Sequence, residues 1–176
     1  MNKAIFLDRD GTIIEEKGYI CHLAQSEIFP FAYEAVRMMN ENHFKVIVIT
    51  NQSAVARGIC TGEQVENLHL TIQKEFLKRQ AVIDRFYYCP YHTDGVIEAF
   101  KKDHPWRKPA PGMILQAAKD FDINLSQSYM IGDDLIDIQV GKNAGCQTVL
   151  VLTGKGRQTK KKLEKENIIP DLISEN

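Results

Sequence analysis

The sequence predicts an α/β fold, a doubly wound parallel sheet with helices on both faces. Short apolar, β-branched runs alternate along the 176 residues with segments of helical spacing. Three runs end in polar clusters, Asp8-Arg9-Asp10, Thr50-Asn51 and Asp133-Asp134, and a parallel sheet brings such ends to one edge, where open α/β sheets bind ligands. No linker of Gly/Ser or Pro and no internal repeat divides the chain, so residues 1–176 read as a single domain.

The elements follow in order. Lys3-Ala4-Ile5-Phe6-Leu7 is a bounded apolar run, hence a buried strand, and Gly11 lets the chain turn after it. Residues 11–30 are irregular, and Phe31 to Asn40 has helical spacing through Ala35, Met38 and Met39. Phe44 to Thr50 is a second strand, rich in β-branched residues. Thr61 suits a helix cap, and Val65, Leu68, Ile72, Phe76 and Leu77 give that helix its apolar face to about Arg79. Arg85 to Cys89 is a third strand. An irregular stretch from Pro90 to Pro111 then carries four prolines and the only tryptophan; connections this long are usually functional or disordered. Gly112 to Phe121 reads as a helix, Tyr129 to Ile131 as a strand, and a helix runs to about Asn143. Gln147 to Leu152 is a strand, Lys155 to Asn167 a basic helix, and Asp171 to Ile173 a short edge strand.

The totals exclude several classes. Hydrophobic residues are 44% and charged ones 26%, an ordinary globular composition. A net charge of −1 gives no case for nucleic-acid binding, and the basic 155–165 stretch has no companion patch, so it reads as a solvated helix face. No run of about 18 apolar residues predicts a membrane span, and no basic region with an apolar core predicts a secretory leader. Cys21, Cys60, Cys89 and Cys146 are too scattered for a disulfide framework, so reduced thiols in a cytoplasmic protein are expected. A monomer is expected, because no apolar helix face demands a partner. His22, His43 and His69 read as surface or partly buried side chains without a catalytic role.

The converging clusters form a chemical kit. Carboxylate oxygens at two strand ends suit Mg²⁺, which keeps waters and bridges to phosphate. Arg107-Lys108, closing the long loop, would balance a phosphate's charge.

Phe6-Leu7-Asp8-Arg9-Asp10-Gly11-Thr12 resembles motif I of the haloacid-dehalogenase (HAD) phosphatase superfamily. Thr50-Asn51-Gln52-Ser53 resembles its motif II, Lys108 its motif III, and Gly132-Asp133-Asp134-Leu135-Ile136-Asp137 its motif IV. Gly18-Tyr19, Ala56-Arg57-Gly58, Tyr87-Tyr88-Cys89-Pro90 and Arg107-Lys108-Pro109 narrow the resemblance to the group of heptose-bisphosphate and histidinol-phosphate phosphatases, and lean to the former. The resemblance implies a Rossmann-like HAD fold and a Mg²⁺-dependent phosphomonoesterase acting on a small phosphorylated sugar through an aspartyl-phosphate. It implies Asp8 as nucleophile and Asp10 as acid-base. Thr50 and Asn51 would bond the phosphoryl oxygens and Lys108 would neutralise them. Asp8, the Asp10 carbonyl and Asp133 would hold Mg²⁺. Glu16, Gly18, Tyr19, Gln52, Ser53 and Arg107 would contact substrate. About 40 residues separate motifs I and II, too few for a separate cap domain, so recognition falls to loops.

Two departures from that group stand out. Its long loop often carries structural zinc on four Cys/His ligands; here Cys89 is in place, Tyr91 and Trp106 occupy ligand positions, and His92 and His104 are the nearest imidazoles. Zinc is therefore not expected, and packing of Trp106, Tyr91 and the prolines should hold the loop. Asp134 stands where some heptose relatives have Lys, and either a contact to a metal-bound water or altered phosphate affinity could follow.

Overall fold

The computed structural model describes all 176 residues. Six parallel strands form one sheet: β1 (Lys3–Leu7), β2 (Phe44–Asn51), β3 (Arg85–Cys89), β4 (Tyr129–Gly132), β5 (Gln147–Val151) and β6 (Leu172–Ser174). Their order is β3-β2-β1-β4-β5-β6. The direction of winding reverses between β1 and β4, which opens a crevice at their carboxyl ends. Five helices connect them: α1 (Pro30–Glu41), α2 (Gly62–Leu77), α3 (Gly112–Phe121), α4 (Leu135–Ala144) and α5 (Gly156–Glu166).

Strand alternation divides the core in two. Ile5, Leu7, Val46 and Val48 point to the face covered by α1 and α2, against Val36, Ile72 and Phe76. Ala4, Phe6, Ile47 and Ile49 point to the other face, against Met113, Ile114 and Ala117 of α3 and Val140 of α4. Fully burying one such aliphatic side chain contributes about 1.5–3 kcal/mol. Both faces of the central strands are therefore dry, which fixes where β1 and β4 end and what stands at their tips.

The expected strands and helices are present, with ends shifted by a residue or two. Pro30 opens α1, one residue earlier than its apolar spacing suggests, because its fixed φ suits a first helical position. Thr61 caps α2, its hydroxyl accepting from the Gln64 amide at 3.1 Å. The long loop is packed by aromatic groups: Tyr91 stacks on His104 at 4.3 Å between centroids, and Trp106 meets Tyr87 edge-on at 6.0 Å.

The expectation of reduced thiols is corrected in one pair. Cys21 and Cys60 are joined by a disulfide, with Cα atoms 5.7 Å apart, while Cys89 and Cys146 are free and buried. The two lie 39 positions apart in sequence. They meet because the loops after β1 and β2 share one sheet edge, where Ala54, Val55 and Val65 pack around them.

Candidate active site

Asp8 stands one residue past β1, its amide bonded to the Ile131 carbonyl of β4 at 3.0 Å. Gly11 follows with φ +81°, and a side chain there would run into the Asp133 carboxylate. Only glycine meets both demands, so the turn after β1 and the tip of β4 close on each other.

Lys108 reaches into this crevice from the long loop and is 3% exposed. Its ammonium donates to Asp8 Oδ1 at 2.7 Å, Asp137 Oδ1 at 2.6 Å and the Ile49 carbonyl at 3.1 Å. All three donors are used. Asp8 Oδ2 is left free to face a substrate. Burial disfavours the lysine's charge, but Asp137 and Asp8 outweigh it and hold the ammonium protonated. The carboxylates outnumber this one cation. Burial and the neighbouring Asp8 charge push Asp133 up to about 8. Burial also raises Asp8 and Asp137.

Ligand oxygens of Asp8, Asp133 and Asp137 lie within 4.8 Å of one another. Three crowded carboxylates sharing one lysine fit a hard divalent cation such as Mg²⁺. Asp137 is already committed to Lys108 and, at 3.0 Å, to the Asp134 amide. Asp8 and Asp133 are thus the residues that would hold the ion, and the Asp10 side chain does not join them.

Asp10 instead faces the other way. Arg9 grips it with two bonds, Nε to Oδ1 at 3.1 Å and Nη2 to Oδ2 at 3.0 Å. Gln52 donates to Oδ2 at 2.9 Å and to the Thr50 hydroxyl at 2.8 Å. Thr50 is buried at the tip of β2. Asn51 is spent differently from the role its motif implies: its amide clamps the Lys108 backbone, accepting from its N–H at 3.0 Å and donating to its carbonyl at 3.1 Å. That clamp sets the reach of the lysine.

A cleft of about 220 Å³ opens beside Asp10, and Glu16, Gly18, Tyr19, Asn51, Gln52 and Ser53 line it with Lys155. The Glu16 carboxylate accepts from the Gly18 amide at 2.8 Å, which shapes the loop. Arg107 does not line this cleft; its guanidinium donates to the Tyr91 carbonyl at 3.2 Å. Cys89, His92 and His104 do not converge: Cys89 Sγ faces the Tyr91 carbonyl, and each imidazole accepts from a backbone amide of its own loop.

Three residues had no part in the site as read from sequence. Lys155 opens the basic stretch taken for a solvated face, yet its amide donates to Asp133 at 2.7 Å and its ammonium lies 3.5 Å from both Glu16 and Asp134. Asp134 is thereby paired as well as sitting at the start of α4. His69 is buried, not at the surface, and contacts Arg9. Asp137 was inside the quoted motif, but its place beside Lys108 needed the fold.

A family model described as HAD-hydrolase-like matches residues 105–176. A D-glycero-D-manno-heptose-1,7-bisphosphate 7-phosphatase of Chlorobaculum tepidum is 36% identical, over 99% of this chain and 89% of its own. The chain belongs to the HAD-type heptose-bisphosphate phosphatase family. The Escherichia coli K12 member of this family, D-glycero-beta-D-manno-heptose-1,7-bisphosphate 7-phosphatase, is 42% identical over 86% of this chain and 80% of its own. The solved D,D-heptose 1,7-bisphosphate phosphatase of B. bronchiseptica, complexed with magnesium and phosphate, superposes with a TM-score of 0.85 at 28% identity, covering 99% of this chain and 93% of that one. Family membership makes the chain a phosphoric monoester hydrolase.

Proposed function

We propose that this enzyme removes the 7-phosphate of a D-glycero-D-manno-heptose 1,7-bisphosphate. The observation that carries the reading is Asp8: one carboxylate oxygen is held by Lys108 and the other is free at the crevice mouth. The names and identities of the relatives support the substrate.

Asp8 Oδ2 attacks phosphorus and forms an aspartyl-phosphate while the P–O bond to the sugar breaks. Asp10, entering the cycle in its protonated form, gives that proton to the departing sugar oxygen and becomes the carboxylate that Arg9 balances. A water then attacks the aspartyl-phosphate; Asp10 takes that water's proton, and Asp8 is released with inorganic phosphate. Such positioned proton transfer is worth about 10²–10⁴ in rate. Lys108 and the Thr50 hydroxyl offset charge on the phosphoryl oxygens, and the Asn51 clamp keeps the lysine in place. Asp8, the Asp10 carbonyl and Asp133 would hold Mg²⁺, which would supply charge neutralisation there. Glu16, Gly18, Tyr19, Ser53 and Lys155 meet the sugar and its second phosphate.

No helix is long and apolar enough to cross a membrane. We place the enzyme as a monomer, which sizing chromatography checks. The test of function is phosphate release from the heptose bisphosphate and from histidinol phosphate, with and without Mg²⁺. The heptose substrate should have the higher kcat/KM, and Mg²⁺ should be required. A higher kcat/KM for histidinol phosphate would overturn the substrate assignment.

A further inference from the structure

Arg9 is fully buried, and its charge needs partners. Two of its bonds go to the Asp10 carboxylate and a third, from Nη2, to Gln52 Oε1 at 2.8 Å. The fourth contact comes from another element: Nη1 lies 3.1 Å from Nε2 of His69. Arginine has donors and no acceptor, so Nε2 accepts and the imidazole proton sits on Nδ1. The ring is 5% exposed and stacks on Phe86 at 4.6 Å between centroids, with Tyr88 edge-on at 5.7 Å. Burial, then the Arg9 charge, keeps His69 neutral. Val65, His69, Ile72 and Phe76 share one buried face of α2, so the imidazole replaces what would otherwise be an apolar core side chain. Within the protein, Arg9 is the one hydrogen-bond partner of that polar ring.

We infer that His69 is a positioning residue for catalysis, which fixes the Arg9 guanidinium from behind and through it the Asp10 carboxylate toward the leaving-group oxygen. Without the Nε2 acceptor, Nη1 is left buried and unpaired, and the fork that aims Asp10 is free to swing. The loss falls on the step in which Asp10 gives a proton to the leaving group. It does not fall on nucleophilic attack by Asp8, which Lys108 orients separately.

The inference rests on the aspartyl-phosphate reading above, and leaving-group dependence separates the two. kcat/KM is measured with a sugar phosphate that the wild type turns over and with p-nitrophenyl phosphate, whose phenolate departs without a proton. His69→Phe keeps the stacked ring and removes the acceptor; His69→Gln keeps an acceptor near the Nε2 position. His69→Phe is expected to lose roughly tenfold or more on the sugar phosphate and threefold or less on the aryl ester, and His69→Gln to recover most of that loss. Should His69→Phe not fold, His69→Asn replaces it, since its shorter amide cannot reach Arg9, and the same contrast with His69→Gln is expected. Equal losses on both substrates, no loss on either, or a Gln variant as poor as the Phe or Asn variant would overturn the inference. A wild type inert toward every phosphate ester would sink the catalytic reading itself, whereas an active wild type with indifferent variants sinks only this role for His69.

Discussion

Asp8 and Asp10 are two residues apart on one turn, and their surroundings are opposite. Around Asp8 the protein gathers carboxylates: Asp133 and Asp137 crowd it, and one lysine serves the group. That side is deficient in positive charge and fit for a divalent cation. Around Asp10 the charge is already balanced, by a buried guanidinium in bidentate contact and a glutamine amide. The first carboxylate is arranged to meet a metal and a phosphorus atom. The second is arranged to be held in one orientation. Two chemically identical side chains thus acquire different work from the groups packed behind them, a division known from other paired catalytic carboxylates.

Replacing each carboxylate in turn is the strongest way to break this comparison. Asp8→Asn removes the nucleophile and should lower kcat by about 10⁴ or more with every ester tested, since no other group can take the phosphoryl. Asp10→Asn should cost about 10²–10³ in kcat/KM on a sugar phosphate, and clearly less on p-nitrophenyl phosphate. Steady-state assays with both esters check this; equal losses for the two variants on the aryl ester would erase the proposed division.

A smaller effect sharpens the metal side alone. Asp133 holds its proton up to about pH 8 in the metal-free protein, through burial and the Asp8 charge. Mg²⁺ needs the carboxylate, so binding releases a proton. Its apparent Kd should rise as pH falls below about 8, by about tenfold per unit from Asp133 alone. The folded-state pKa is raised above the unfolded one, so the linked stability of the metal-free protein is present at low pH and is lost as pH rises from about 4 towards about 8. Adding Mg²⁺ should reverse that loss. Calorimetric Mg²⁺ titrations at several pH values, with urea melts beside them, read both signs. A Kd that does not move between pH 6 and 8 would show that Asp133 is not the group the ion displaces a proton from.

The legibility of the molecule follows the same division. The sheet was readable because β1 and β2 are buried on both faces and so are nearly continuous apolar runs that end abruptly in polar residues. That Asp8, Asp10, Thr50 and Asp133 share one place was readable because strand ends of a parallel sheet share an edge, whereas Lys108, on the long loop, was placed there only by its motif. What escaped depends on contacts between segments far apart in sequence. Arg9 and His69 are 60 positions apart, and nothing near either marks the other, although a histidine on the apolar stripe of α2 was a visible oddity. Asn51 lines the cleft, and its amide also clamps the backbone of Lys108, 57 positions on, a contact that nothing near it in sequence marks. The Cys21–Cys60 bond needed two loops to be laid side by side. Lys155 was masked by the lysines after it: composition speaks for α5 as a whole, and Lys155, at its N-cap, is the lysine that reaches the site.

That lysine stands between the two halves and gives the smallest expected effect. Its backbone amide serves Asp133, while its ammonium, about half exposed, bridges Glu16 and Asp134 at the mouth of the cleft beside Asp10. Pairs this long and this exposed are weak, worth about 0–1 kcal/mol, so the side chain can leave them for a phosphate. Lys155→Met keeps the backbone contact and most of the stem while removing the charge. KM for a bisphosphorylated sugar should rise about three- to tenfold, roughly 0.7–1.4 kcal/mol, with kcat within about twofold. The KM shift should shrink at high salt, because an exposed charge is screened. A fall in kcat with KM unchanged would move Lys155 from the substrate's rim to the metal side, acting through Asp133, and the boundary between the two halves of the site would have to be redrawn there.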